Sequence, residues 1–160
     1  MLLSKDYREM LQCLSDEGAR YLVVGAYALA IHGYPRATKD IDVFVWANPE
    51  NAAKVFRAVE RFGAPLRDLT IADFASKGNV YQIGGGPLRI DILTSIDGVR
   101  FEDAYPRRVT AQMDGLDVPV ISRDDLIANK RAVGRAQDLA DVERLEPKTR
   151  VRSRDDDLTR

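Results

Sequence analysis

Two pairs of extended runs, each closed by a glycine-bearing turn, constrain the fold of this chain more than any other feature. "NVYQI" and "PLRIDILTSI" flank Gly84, Gly85 and Gly86, and "RVTAQM" and "LDVPVI" flank Asp114-Gly115. Short β-branched or aromatic runs separated by such turns read as antiparallel hairpins. Parallel neighbours need long crossover connections, so a purely parallel sheet has no place for two hairpins. The sheet must be mixed.

The remaining segments supply helices and further strands. Leu3, Tyr7, Met10, Leu11 and Leu14 follow helical spacing, with Gly18 as the stop. "RYLVVG" reads as a short buried strand ending at Gly25, and "AYALAIHG" as an Ala-rich helix closed by Gly33. "DIDVFVW" is β-branched and aromatic, hence a strand. "PENAAKVFRAVERFG" places Pro49 near a helix start, Val55, Phe56 and Val59 on one side, and Gly63 past the end. "TIADFASKG" reads as a short helix and "RFEDAYPRR" as a helix broken at Pro106. "SRDDLIANKRAVG" opens on a Ser122 cap with Asp125 three residues later, and "AQDLADVERL" continues as a helix. The class is therefore α/β or α+β, a mixed β-sheet flanked by helices. Residues 1–147 form one domain, and the charged tail 148–160, poor in apolar residues, is expected to be disordered.

Charge and composition exclude some functions. A net charge of -1 is not that of a polycation built to grip nucleic acid. No apolar block approaches the roughly 18 residues of a membrane span, and "MLLSKDYREM" lacks a secretory pattern. The single cysteine, Cys13, rules out an internal disulfide and fits a reducing cytoplasm, with Cys13 itself a small buried hydrophobe.

Against this background the acids of "RATKDIDVFV" stand out. Asp40 and Asp42 are two apart on a strand, so they share a face, with Cα atoms about 7 Å apart. They are either surface acids at a strand end or a pair that shares a divalent cation. Asp91 lies between Ile90 and Ile92 inside "PLRIDILTSI", where a charge is costly unless paired or bound to metal. It is either ion-paired, with Arg89 or another base, or the third carboxylate of a cluster. If its strand neighbours that of Asp40, three acids meet and could hold two metal ions. Gly25, between a strand and a helix, lets a phosphate approach free backbone N–H groups. Gly84 to Gly86 match no phosphate-binding glycine pattern and read as a turn. His32, the only histidine, has no nucleophilic partner and reads as a packed or hydrogen-bonded helix-end residue. Trp46, Tyr27 and Tyr34 read as packing residues, with base stacking open to the two tyrosines.

In combination these residues resemble a known family. "VVGAYALAIHGYPRATKDIDVFV" is similar to the signature of the nucleotidyltransferase superfamily, the fold of the DNA polymerase β catalytic core. "HGYPRATKDID" and "DLIANKRAVGRAQDLADV" resemble small bacterial and archaeal members related to abortive-infection toxins, with Lys130, Arg135, Asp138 and Asp141 in their second block. The likeness runs from about Tyr21 to Leu145. It implies that Asp40, Asp42 and Asp91 bind Mg²⁺ or Mn²⁺ carrying a nucleoside triphosphate (NTP), with Asp91 also helping to activate an acceptor hydroxyl. Gly25 and the Ala26 amide would hold a terminal phosphate, Arg36 and Thr38 would lie near the phosphates, and Lys130 would neutralise charge there. Asp138 would be a further site residue or an ordinary acid at a helix N-terminus. The acceptor would be an RNA 3′ end, a protein or a small molecule, and a toxin role with an antitoxin-like protein partner is one setting. One departure is Gly25-Ala26 where the family carries Gly-Gly or Gly-Ser, so no serine hydroxyl is offered to phosphate. That departure keeps an inactive nucleotide-binding or partner-binding module open as the alternative. A metal-dependent nuclease using the same acids is a third reading.

Overall fold

A computed structural model describes residues 3–147 apart from Gly86. The expectation of a disordered tail at 148–160 lies outside the described residues. In chain order the elements are α1 (Lys5–Asp16), β1 (Tyr21–Val24), α2 (Gly25–Ile31), β2 (Asp40–Val45), α3 (Pro49–Phe62), α4 (Ile71–Ala75), β3 (Val80–Ile83), β4 (Arg89–Leu93), α5 (Phe101–Ala104), β5 (Val109–Met113), β6 (Leu116–Val120), α6 (Arg123–Val133) and α7 (Ala136–Leu145). A 3₁₀ turn over Tyr105–Arg107 follows α5 and contains Pro106, where the helix was expected to break.

The strands form one sheet in the order β3-β4-β2-β1-β6-β5. β3/β4 and β5/β6 are the two antiparallel hairpins, and β1/β2 is also antiparallel. β2/β4 and β1/β6 are parallel, so the sheet is mixed. Asp114 and Gly115 both take positive φ, 51° and 79°, which is what a two-residue hairpin turn of matching twist needs.

Local chemistry starts and stops the helices. Ser4 Oγ accepts the Tyr7 N–H at the head of α1, Asn48 Oδ1 accepts from Glu50 and Asn51 at α3, and Ser122 Oγ accepts from Asp125 at α6. Such caps satisfy backbone donors that the helix itself leaves unpaired. Tyr7, Met10, Leu11 and Leu14 turn inward from α1, and Val55 and Val59 from α3, with Phe56 at the margin of the core. They pack with Val23, Val43, Val45, Ile92, Val118 and Val120, all fully buried strand residues. α1 packs on α3, while α6 packs on α7 and touches α2. Among the described residues no helix is long and apolar enough to cross a membrane.

Candidate active site

β2 and β4 bring the acids together. In their parallel register Asp40 lies opposite Arg89 and Asp42 opposite Asp91. Side chains two apart on a strand share a face, so Asp40, Asp42, Arg89 and Asp91 make a two-by-two block on one side of the sheet. The intervening Ile41, Val43, Ile90 and Ile92 turn the other way and are buried. Alternation thus puts an apolar face and a charged face on the same two strands. Val24 of β1 and Gln82 of β3 continue the row on either side of Asp42 and Asp91.

Gly25 is the hinge between this row and α2. Its φ is +69°, and a Cβ built there would stand 2.2 Å from Asp42 Oδ2. The Asp42 carboxylate therefore occupies the space a side chain would need, and glycine is required for two reasons, backbone conformation and contact. Burial, then repulsion from Asp91 and Asp40, pushes the Asp42 carboxyl up to about 6; Arg89 and Lys130 pull the other way. Among the described residues no ion pair reaches Asp42, whereas Asp40 and Asp91 share Arg89.

Arg89 spans the cluster. Its Nε lies 2.9 Å from Asp91 Oδ1, and one terminal nitrogen lies 3.1 Å from Asp91 Oδ2 and 3.2 Å from Asp40 Oδ2. The Arg89 backbone is pinned separately: its N–H donates to Lys39 O and to the Tyr7 hydroxyl, and that hydroxyl donates to Lys39 O at 2.6 Å. Tyr7 of α1 thus ties the starts of β2 and β4 together. In sequence Tyr7 is one apolar position of a helical stripe, and nothing there signals this bond.

A second charged cluster lies on α6 and α7. Lys130 is 5 % exposed, with Nζ 2.8 Å from Asp141 Oδ2 and 3.7 Å from Asp138 Oδ1. One terminal nitrogen of Arg36 donates to both oxygens of Asp141 at 2.8 and 2.9 Å, and Gln137 donates to it at 3.0 Å. Burial alone would raise the Asp141 pKa, but Lys130, Gln137 and Arg36 outweigh it and hold the carboxyl below its ordinary value. Asp138 sits in the first turn of α7 and is also held low, mainly by Arg135 at 2.7 Å.

The structure therefore gathers Asp40, Asp42, Asp91 and Gly25, with Ala26 next in α2. Lys130 is close enough to depress Asp42, while its ammonium is committed to Asp141. Arg36 and Thr38 lie in the segment that leads into β2. The Arg36 guanidinium is on Asp141, and the Thr38 hydroxyl donates to Asp40 O and accepts the Asp40 N–H. His32 Nε2 pairs with Ile121 O at 2.8 Å, a hydrogen-bonded helix-end histidine. Trp46 donates to Glu102, stacks on Phe101 and is half-buried, and Tyr27 and Tyr34 pack against the core. The pairings Arg36–Asp141 and Arg89–Asp40 escape sequence reasoning because their partners are remote in the chain. Only the two charged pairs at alternate positions, Asp40/Asp42 and Arg89/Asp91, read with a β2/β4 pairing, could have exposed the second.

Three carboxylates on one face are oxygen donors of the kind Mg²⁺ and Mn²⁺ take. The repulsion among the carboxylates at Asp42 is what a cation would relieve. As the side chains stand, no three acidic, histidine or cysteine groups among the described residues are close enough to hold one. The guanidinium of Arg89 lies between two of the three.

A mixed sheet with paired acids on adjoining parallel strands, entered through a glycine-led helix, defines a nucleotidyltransferase fold. The chain belongs to the family described as "Nucleotidyltransferase of unknown function (DUF6036)", whose family model matches residues 3–151. No curated protein matches it by sequence. Among solved structures, a Thermotoga maritima protein aligns over 86% of this chain and 88% of its own at 15% identity, TM-score 0.57. The lincosamide antibiotic adenylyltransferase LnuA, bound to lincomycin, aligns over 92% of this chain and 99% of its own at 15% identity, TM-score 0.56. ANT(2″)-Ia, in complex with adenylyl-2″-tobramycin, aligns over 87% and 84% at 14% identity, TM-score 0.54. At these identities the likeness is one of fold.

Proposed function

We propose that this protein transfers a nucleoside monophosphate from an NTP to a hydroxyl of a small-molecule acceptor. The observation that carries the reading is the register of β2 and β4, which sets Asp42 beside Asp91 with the Asp42 carboxylate over Gly25. The acceptor oxygen would bond to the α-phosphorus, the bond from that phosphorus to the β-phosphate oxygen would break, and pyrophosphate would leave. Asp91 would take the hydroxyl proton as the new bond forms. Gly25 and the Ala26 amide would meet the terminal phosphate, and Lys130 would lower the negative potential across the site. Asp40, Asp42 and Asp91 would hold Mg²⁺ or Mn²⁺, which when bound would offset the triphosphate's charge. Catalysis on such a face is positioning and charge compensation rather than covalent chemistry. A small-molecule acceptor is preferred over an RNA end or a protein because LnuA, of the same fold and similar extent, is a lincosamide antibiotic adenylyltransferase, and ANT(2″)-Ia, an antibiotic-resistance factor, is held with adenylyl-2″-tobramycin.

The test is label transfer. The protein is incubated with each α-labelled NTP, Mg²⁺ or Mn²⁺ and a cell extract, and small molecules, RNA and protein are then separated. Label in the small-molecule fraction, absent with Asp42→Asn, is the expected result. Label in RNA or protein would overturn the acceptor class, and equal transfer by Asp42→Asn would overturn the mechanism.

One observation favours a second reading, a nucleotide-binding or partner-binding module without turnover: Arg89 already bridges two of the three acids. That module would bind nucleotide and release no pyrophosphate with any acceptor.

A further inference from the structure

The Arg89 bridge has a geometry that a group which merely orients Asp91 does not need. An orienting arginine forks onto one carboxylate. Here the guanidinium forks onto Asp91, Nε to Oδ1 at 2.9 Å and one terminal nitrogen to Oδ2 at 3.1 Å, and the same terminal nitrogen also reaches Asp40 Oδ2 at 3.2 Å on the neighbouring strand. Asp40 and Asp91 are two of the three acids that would hold a divalent cation, so the guanidinium occupies carboxylates that the cation would need. One guanidinium serves two of the three carboxylates in this block, and among the described residues no ion pair reaches Asp42, so the cluster remains under-compensated.

The arginine is also built to leave. Its side chain is 39% exposed, as is that of Asp40, while Asp91 is 10% exposed, so the guanidinium closes the cluster on the solvent side. Its backbone N–H is held by Lys39 O and the Tyr7 hydroxyl, so the side chain can swing into water without moving β4. The flexible arginine stem lets its charged head reach water while its methylenes stay on the protein surface.

We propose that Arg89 is a resident counter-cation that holds Asp40 and Asp91 in the metal-free protein and competes with a divalent cation for them, so that its departure gates metal entry. The inference rests on the reading of Asp40, Asp42 and Asp91 as a metal-binding set. An arginine that competes weakens metal binding, whereas one that only orients Asp91 strengthens it, so the two roles predict opposite signs.

The experiment measures Mn²⁺ binding by loss of the free-ion electron paramagnetic resonance signal, together with thermal unfolding with and without Mn²⁺. It uses the full chain as wild type, Arg89→Gln, Arg89→Lys and Asp42→Asn. Arg89→Gln is expected to bind Mn²⁺ at least about tenfold more tightly than wild type, about 1.4 kcal/mol. Its metal-free form should melt lower, and its Mn²⁺-induced rise in Tm should exceed that of wild type. Arg89→Lys keeps the charge but loses the fork, which guards against a folding failure of the glutamine variant; it should fall between the two. Affinity equal to or weaker than wild type in both Arg89 variants, with binding lost in Asp42→Asn, would overturn the gate and leave the metal-site reading standing. Absence of Mn²⁺ binding in all four proteins would overturn both.

Discussion

Replacing Asp42 by asparagine should stabilise the metal-free protein while abolishing transfer. Asp42 is half-buried against Gly25, beside Asp91 and Asp40, and its carboxyl is raised from 3.8 to about 6. The folded state therefore holds that proton more tightly than the unfolded chain. Below about pH 4 the group is protonated in both states and costs nothing. As pH rises from about 4 through 6 the unfolded chain ionises first and stability falls; above that window the full penalty remains. Two pKa units at 1.36 kcal/mol each give about 3 kcal/mol as the upper end, and partial solvation trims this to roughly 2–3 kcal/mol. Asparagine has the same shape and no charge, so it escapes the penalty. For a domain of this size that is a rise in Tm of roughly 5–10 °C at pH 8. The assay is thermal unfolding of both proteins in chelator-treated buffer at pH 8 and at pH 4. The gap should be wide at pH 8 and close at pH 4. A variant that melts no higher than wild type at pH 8, or by the same margin at both pH values, would refute the argument that an uncompensated charge is stored at this position.

Other perturbations follow from single contacts. Gly25→Ala puts a Cβ 2.2 Å from Asp42 Oδ2 at a backbone φ of +69°, so it should cost more than the roughly 1–2 kcal/mol of the backbone penalty and lower transfer at once, read by urea unfolding and turnover. Tyr7→Phe removes the hydroxyl that joins Lys39 O to the Arg89 N–H; a loss of about 1–2 kcal/mol is expected, and a neutral result would mean that the staple contributes nothing. Asp141→Ala leaves buried Lys130 and the Arg36 guanidinium without their shared acceptor and should cost about 3–5 kcal/mol in urea unfolding. Asp141 and Asp138 are both held below the ordinary carboxylate range, so the stability they contribute is present above about pH 4 and is lost as pH falls through their lowered values. Acid unfolding of the wild type should therefore show a step below pH 4 that is diminished in Asp138→Asn.

Much of the fold was legible in the chain because its signals are local. Alternation in "DIDVFV" places Asp40 and Asp42 on one face whatever the rest of the chain does. Gly25 after a β-branched run, Pro49 at a helix start, Ser122 as a cap and Asp114-Gly115 in a turn act through near neighbours, and each works as read. Neither the mixed sheet nor its hairpins depended on knowing which strand lies beside which.

Strand neighbours are decided by tertiary structure. β4 could have paired on either side of its hairpin partner or stood at an edge; burial of Ile90 and Ile92 against the same core as Ile41 and Val43 sets it beside β2. Only that choice brings Asp91 next to Asp42 and makes a cluster from three acids spread over two strands. The same choice carries Arg89 onto Asp40, which turns an isolated ion pair into a bridge. Arg36 and Asp141 are 105 residues apart, and Tyr7 and Arg89 are 82. Propensity and periodicity describe what each segment can become, because they depend on backbone sterics and adjacent side chains. Charge compensation depends on distance through space, and that is defined only when the sheet order is.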